Sequence, residues 1–331
     1  MNLRKLGATD LEVSPIGLGL AALGRPGYIN IGHGQDLDEE IHLHSMRARA
    51  QRVLDAAYRG GVRYFDAARS YGRAEEFLGG WLRMRGFMRE DVVVGSKWGY
   101  TYTADWEVQA ETHETKEHSH EVLLKQWEES RTHLGVYLDL YQIHSATIDS
   151  GVLQNVTVLG ELARLKAGGF AIGLTVSGPR QRQTIERAME ATLDGKLLFD
   201  SVQATWNLLE KSAGPGLEIA REAGMGVIIK EALANGRLTD KNGAPEFANN
   251  LKLIKQQAAR SDTTMDALAL AAALAQPWVD IVLSGAARVE HLESNLKALA
   301  ITWDEEAETQ LGKLVEAPEE YWETRSNLAW N

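Results

Sequence analysis

The sequence contains no cysteine, which excludes disulfides, thiol nucleophiles and thiolate metal sites and says nothing of compartment. It also lacks a basic excess: 35 Lys and Arg stand against 46 Asp and Glu, a formal charge of -11. Binding a phosphate backbone would need a strong local basic patch, and the sequence shows none. The opening "MNLRKLGATD" has no apolar stretch of signal-peptide type. The longest apolar run, residues 267–275, is too short to span a bilayer. These absences predict a soluble cytoplasmic protein that acts on neither nucleic acid nor membrane, and they leave its oligomeric state open.

What is present is a large apolar fraction in a repeating pattern. With 331 residues, 44% of them hydrophobic, the chain can bury a substantial core. No composition break divides it, so residues 1–331 read as one domain. Eight β-rich runs stand at 16–21, 62–67, 92–98, 138–144, 170–176, 199–205, 226–232 and 280–286. Helical patterns lie between them at 46–59, 74–84, 119–134, 157–167, 179–191, 214–223, 262–275 and 288–298. Eight strand–helix repeats predict an α/β fold, a (β/α)8 TIM barrel with extended βα loops; a doubly wound open sheet is the alternative. The residues before the first run read as an N-terminal β-hairpin, turning at Gly7 to Asp10 and plugging the barrel bottom.

In such a barrel the chemistry lies where strands end and βα loops begin. Asp66 closes the second run, Lys97 the third and His144 the fourth, and Tyr71 lies on the loop beyond the second. Singly, each has an ordinary reading: a core histidine, a helix cap, a lysine whose head reaches water. Their convergence on adjacent strand ends points to a site. A free phenol titrates near about 10, so acid–base work near neutrality needs a neighbouring cation, and a lysine supplies it. A carboxylate orients that lysine, and an imidazole can hydrogen-bond a substrate oxygen as charge develops there. The set forms an acid–base unit with no need of a metal.

The segments "GVRYFDAARSYG" (61–72), "VVVGSKW", "LDLYQIH", "VQATWN" (202–207), "ALANGRLT" (232–239) and "GAARVEHLESNLKAL" (285–299) resemble the aldo-keto reductases along essentially the whole chain. The resemblance implies a barrel enzyme that binds an extended nicotinamide cofactor and moves hydride between it and a carbonyl carbon. By motif match, Tyr71 would be the general acid in reduction and base in oxidation, and Lys97 the group that lowers its pKa. Asp66 would partner that lysine, and His144 would orient the substrate.

For the cofactor, the resemblance puts Gln203 on the nicotinamide carboxamide and Asn295 on adenine. Thr175 or Ser177 would replace a Ser-Asn pair of the family. Leu233, Gly236 and Leu238 lie on the loop that passes over the pyrophosphate, with backbone amides available to it. Lys230 departs from the pattern, standing where many members have an aromatic residue stacked on the nicotinamide. It reads as a cation for the pyrophosphate, a Schiff-base lysine, or the partner of a core carboxylate. As strand neighbours point to opposite faces, Glu231 is not expected to neutralise it. The family's habit favours NADP, with NAD the alternative. A 2′-phosphate site would use Gly285 and Arg288, the latter competing with a plain helix-start role.

Two long loops, 28–46 and 101–120, carry polar and aromatic residues. His118 and His120 with Glu117 and Glu121 suggest a metal site at first sight, but an acidic loop gives no ligand geometry, so a solvated lid is the reading adopted. Tyr28, Trp98 and Trp206 are candidates for the substrate wall, with Trp106, Trp322 and Trp330 behind them. The substrate is a small carbonyl or alcohol, equally a sugar, an aromatic aldehyde or a ketone. Two other functions remain open: a dinucleotide-binding redox sensor, as in channel β-subunits that resemble this family, and a Schiff-base lyase using Lys97 or Lys230.

Overall fold

The computed structural model describes residues 1–38 and 40–331. Eight parallel strands close into a barrel: Ile16–Gly19, Tyr64–Asp66, Val93–Trp98, Leu138–Ala146, Ala171–Val176, Ser201–Thr205, Gly226–Lys230 and Ile281–Ser284. Each is paired with its neighbours in sequence order, and the last pairs with the first, Val282 opposite Ile16. The strands read as near-continuous apolar runs because helices cover their outer faces while side chains fill the interior.

Two apolar clusters show this division. Leu6, Val13, Tyr64, Leu140, Ile228 and Ile281 pack together inside the barrel. The larger cluster lies between strands and helices and includes Leu54, Phe77, Trp81, Leu162, Leu217 and Leu268. The N-terminal hairpin pairs Arg4 with Val13 and Lys5 with Glu12, and its Leu6 and Val13 close the barrel bottom as expected. With the bottom plugged, the open end lies at the strand C-termini.

Several boundaries depart from expectation. The first strand stops at Gly19 and a helical turn, Ala21–Gly24, follows. The seventh ends at Lys230, because Glu231 turns the chain with φ +56. Loop 28–46 holds the short helix His33–Asp36, and the helix Leu43–Arg59 starts earlier than its apolar periodicity suggests. Loop 101–120 is largely ordered, with strands Tyr100–Tyr102 and Glu114–Lys116 paired antiparallel. The helix Ala248–Arg260 lies between the seventh and eighth strands, and Pro318–Ser326 is helical despite its weak pattern. Among the described residues no helix is long and apolar enough to cross a membrane.

Candidate functional site

The four strand-end residues meet. Lys97 and Asp66 are buried side by side, the ammonium bonded to the Asp66 carboxylate and, at 2.9 Å, to the Ala67 carbonyl. The Lys97 Nζ lies 3.5 Å from the Tyr71 phenol, and the Tyr71 ring meets His144 edge-on at 5.5 Å. The other Asp66 oxygen accepts from Tyr64 at 3.1 Å, Gln142 at 3.3 Å and Gln203 at 3.1 Å. These donors satisfy the buried Asp66 side chain, which in turn holds Lys97 in place.

Burial sets the remaining protonation states. It raises the Tyr71 phenol well above its ordinary value, with Asp66 adding to the rise and Arg25 opposing it. It drives His144 well below the usual imidazole value, helped by Lys97, Lys230 and Arg25. It also lowers Lys97, against the pull of Asp66. Near neutrality the cavity therefore holds a neutral phenol able to donate and a neutral imidazole.

Backbone contacts fix these groups. At Gly24 a Cβ would lie 2.1 Å from the Tyr71 carbonyl oxygen, so the helical turn can approach the Tyr71 loop only without a side chain. Arg25 is buried beneath that loop, donating to the Ser70 carbonyl at 2.9 Å and to Glu114 at 2.8 Å. Its guanidinium also lies 5.4 Å from the centre of each of the Tyr28 and Tyr71 rings. Gly99, at φ +106, leaves room for the His118 ring, whose Nε2 lies 2.8 Å from the His144 carbonyl oxygen. Burial lowers His118 to about 4, so it acts there as a neutral donor. His120 instead begins the helix His120–Leu134. Among the described residues no cluster of three or more His, Asp or Glu side chains could hold a metal.

A cavity of about 1000 Å³ opens above these groups at the strand C-termini. Tyr28, Ser177, Gln203, Lys230, Leu233, Gly236, Gly285 and Asn295 line it, as do Asp66, Tyr71 and His144. Several expected residues do not. Thr175 is fully buried, its hydroxyl accepting from the Ser145 amide at 2.7 Å, where a strand irregularity turns Ser145 to φ +51. Leu238 is buried and its amide bonds the Leu233 carbonyl at 3.2 Å, so it has no free donor for a phosphate. Trp98 lies in the outer core beside His118, because alternation along the strand sends it outward where Lys97 points in. Trp206 packs edge-on against Trp278 at 5.8 Å. Trp322 and Trp330 line the cavity in their stead.

Arg288 also stays off the cavity wall. It caps the helix Val289–Leu296, and its guanidinium donates to Asp38 at 3.1 Å. Lys255 and His291 line the same cavity as Asn295. Asn295 itself accepts from Ser284 at 2.7 Å and donates to Asp266 at 2.7 Å.

Glu231 departs from the opposite-face placement expected of a strand neighbour for a local reason. Its positive φ turns the side chain back, so its carboxylate lies 4.0 Å from the Lys230 Nζ. It is held at 3.0 Å by the Arg325 Nε and bonded by a second guanidinium nitrogen at 2.5 Å, and it accepts from the Thr205 hydroxyl at 2.9 Å. Lys230 donates to the same hydroxyl at 2.7 Å and sits 5.8 Å from the Trp322 ring centre. No sequence signal pairs Glu231 with a residue so far downstream.

With this geometry established, comparison with known proteins places the chain. A sequence profile of the Aldo/keto reductase family matches residues 15–316. An "Uncharacterized oxidoreductase YqkF" of Bacillus subtilis is 26% identical over 90% of this chain and 91% of its own. The NADH-specific methylglyoxal reductase of Escherichia coli is 28% identical over 95% and 98%. The holo form of an aldo-keto reductase from Bacillus halodurans shares the fold, with a TM-score of 0.73 at 24% identity, covering 96% of this chain and 97% of that one.

Proposed function

The chain belongs to the aldo/keto reductase family and is an NAD(P)H-dependent oxidoreductase; from that premise we propose that it reduces a small aldehyde, ketone or sugar carbonyl with Tyr71 as proton donor. The observation that carries this is the Asp66–Lys97–Tyr71 chain ending beside a neutral His144 at the floor of one large cavity. When bound, the nicotinamide supplies the hydride. The protein's part is to hold the carbonyl oxygen between the phenol and the imidazole and to deliver a proton to it. Tyr71 gives its proton as negative charge builds on that oxygen, and the Lys97 ammonium steadies the phenolate left behind. In the oxidative direction the same phenolate takes the proton back.

The wall residues suit a dinucleotide. Gln203 Oε1 is buried with no hydrogen-bond partner among the described residues, an acceptor left for a carboxamide N–H. At Gly285 a Cβ would meet nothing within 4 Å, leaving open space beside Asn295. We read NADP as the cofactor, its 2′-phosphate reached by Lys255 and His291. Replacing Lys255 with alanine should then weaken NADPH by about 1.5–3 kcal/mol and spare NADH. Arg288→Ala should leave both within about twofold of wild type, because Asp38 holds that guanidinium. Titration of each variant with both cofactors decides it, and selective loss of NADPH in Arg288→Ala would return the phosphate to Arg288.

The assembled acid–base geometry favours turnover over pure dinucleotide sensing. A panel of carbonyls and alcohols run with NADPH, NADH and their oxidised forms tests the reading, and no turnover with tight cofactor binding would favour the sensor. Borohydride trapping of a carbonyl substrate on Lys230 would favour the lyase. Dialysis against EDTA is expected to leave activity unchanged, since Tyr71 and Lys97 account for the proton transfer. Loss of activity restored by a divalent ion would overturn the metal-free mechanism.

A further inference from the structure

Two cations and one carboxylate share the end of the seventh strand. Glu231 is bound by two guanidinium nitrogens of Arg325 and by Thr205, while Lys230 stands 4.0 Å from it and, among the described residues, hydrogen-bonds only the Thr205 hydroxyl. The network therefore carries one surplus positive charge, and the Lys230 side chain reaches the cavity. Beside it Lys97 pairs with Asp66 and Arg25 with Glu114, and elsewhere on the cavity wall Lys241 pairs with Asp36 while Lys255, Asp240 and Asp266 also line it.

Register places that surplus. Gln203 pairs with Ile228 and Thr205 with Lys230, so Lys230 lies two residues nearer the open end than the Gln203 level, on the adjacent strand. A nicotinamide held by Gln203 and reacting beside Tyr71 and His144 would have Lys230 on the neighbouring strand of the same cavity wall. Reduced nicotinamide is neutral at the ring, and the oxidised form carries a positive charge. We propose that Lys230 sets the redox preference of this site, binding the reduced cofactor more tightly than the oxidised one and so biasing the protein toward carbonyl reduction. This rests on the dinucleotide reading above.

The charge is itself titratable. Burial lowers Lys230 to about 8, with Glu231 opposing and Arg325 and Lys97 assisting, while Asp66 favours the charged form. His144, held neutral across the cavity, adds no further positive charge. As pH rises through about 8 the ammonium is lost, and the preference for the reduced form should fade with it.

Equilibrium titration of the whole protein with NADPH, NADP+, NADH and NAD+ provides the test. Wild type should favour the reduced form of each pair. Lys230→Met should weaken both forms, the reduced one more, and shrink that preference by about tenfold or more, and Lys230→Arg should keep it. The wild-type ratio should also fall above about pH 8 while that of Lys230→Met stays flat. An unchanged ratio in Lys230→Met, with or without a lower melting temperature, overturns the proposal and leaves the dinucleotide reading standing. Failure of the wild type to bind any dinucleotide overturns both.

Discussion

Replacing Tyr71 with phenylalanine is expected to lower turnover by at least about 10²-fold, the range typical of a general acid–base group, while leaving cofactor affinity nearly intact. The substitution removes one oxygen and keeps the ring that meets His144. The loss should therefore fall on kcat rather than on binding. The direction of the phenol's shift sharpens the expectation. Burial, reinforced by Asp66, holds Tyr71 protonated through neutral pH, which suits a donor in reduction. Oxidation needs the phenolate, so it should gain as pH rises. Steady-state kinetics paired with cofactor titration checks both statements, and unchanged turnover in the variant would remove the acid–base assignment altogether.

The second large effect is expected on stability. Arg325→Ala should cost at most about 3–5 kcal/mol, because breaking a part-buried pair, its guanidinium 24% exposed, strands the remaining charge. Glu231 would keep Thr205 and gain more of Lys230 at 4.0 Å, so the lower end of that range is expected. The pair also has a pH signature. Burial pushes the Glu231 carboxyl up, but Arg325 and then Lys230 outweigh it and hold it at about 2. A depressed carboxylate contributes stability that is present above its unfolded value and lost as pH falls toward the folded one. The wild type should thus lose this contribution between about pH 5 and 2, and the variant should show a shallower acid limb. Urea denaturation across that range measures it. Equal stability of the two proteins at pH 7 would mean that the helix Pro318–Ser326 is held by Tyr321 and Trp322 packing alone.

The sequence by itself determined the barrel and which polar side chains gather at its rim. Strand-length apolar runs alternating with helical periodicity state the repeat locally, and a chain of eight such units has few ways to bury every strand on both faces. Asp66, Lys97 and His144 were legible because each closes a run, and strand ends of a barrel share one rim. Trp98, expected on the substrate wall, instead follows the alternation that turns Lys97 inward and faces the outer core. Other features depended on contacts between distant segments. Glu231 meets Arg325 only because one residue takes φ +56 and a helix of weak pattern returns over the rim. Thr175 gives its hydroxyl to Ser145, and Arg288 gives its guanidinium to Asp38, each a choice among partners that sequence spacing leaves open. Hydrogen bonds and ion pairs act over a few ångströms of space rather than along the chain, so tertiary structure alone decided where these side chains are engaged.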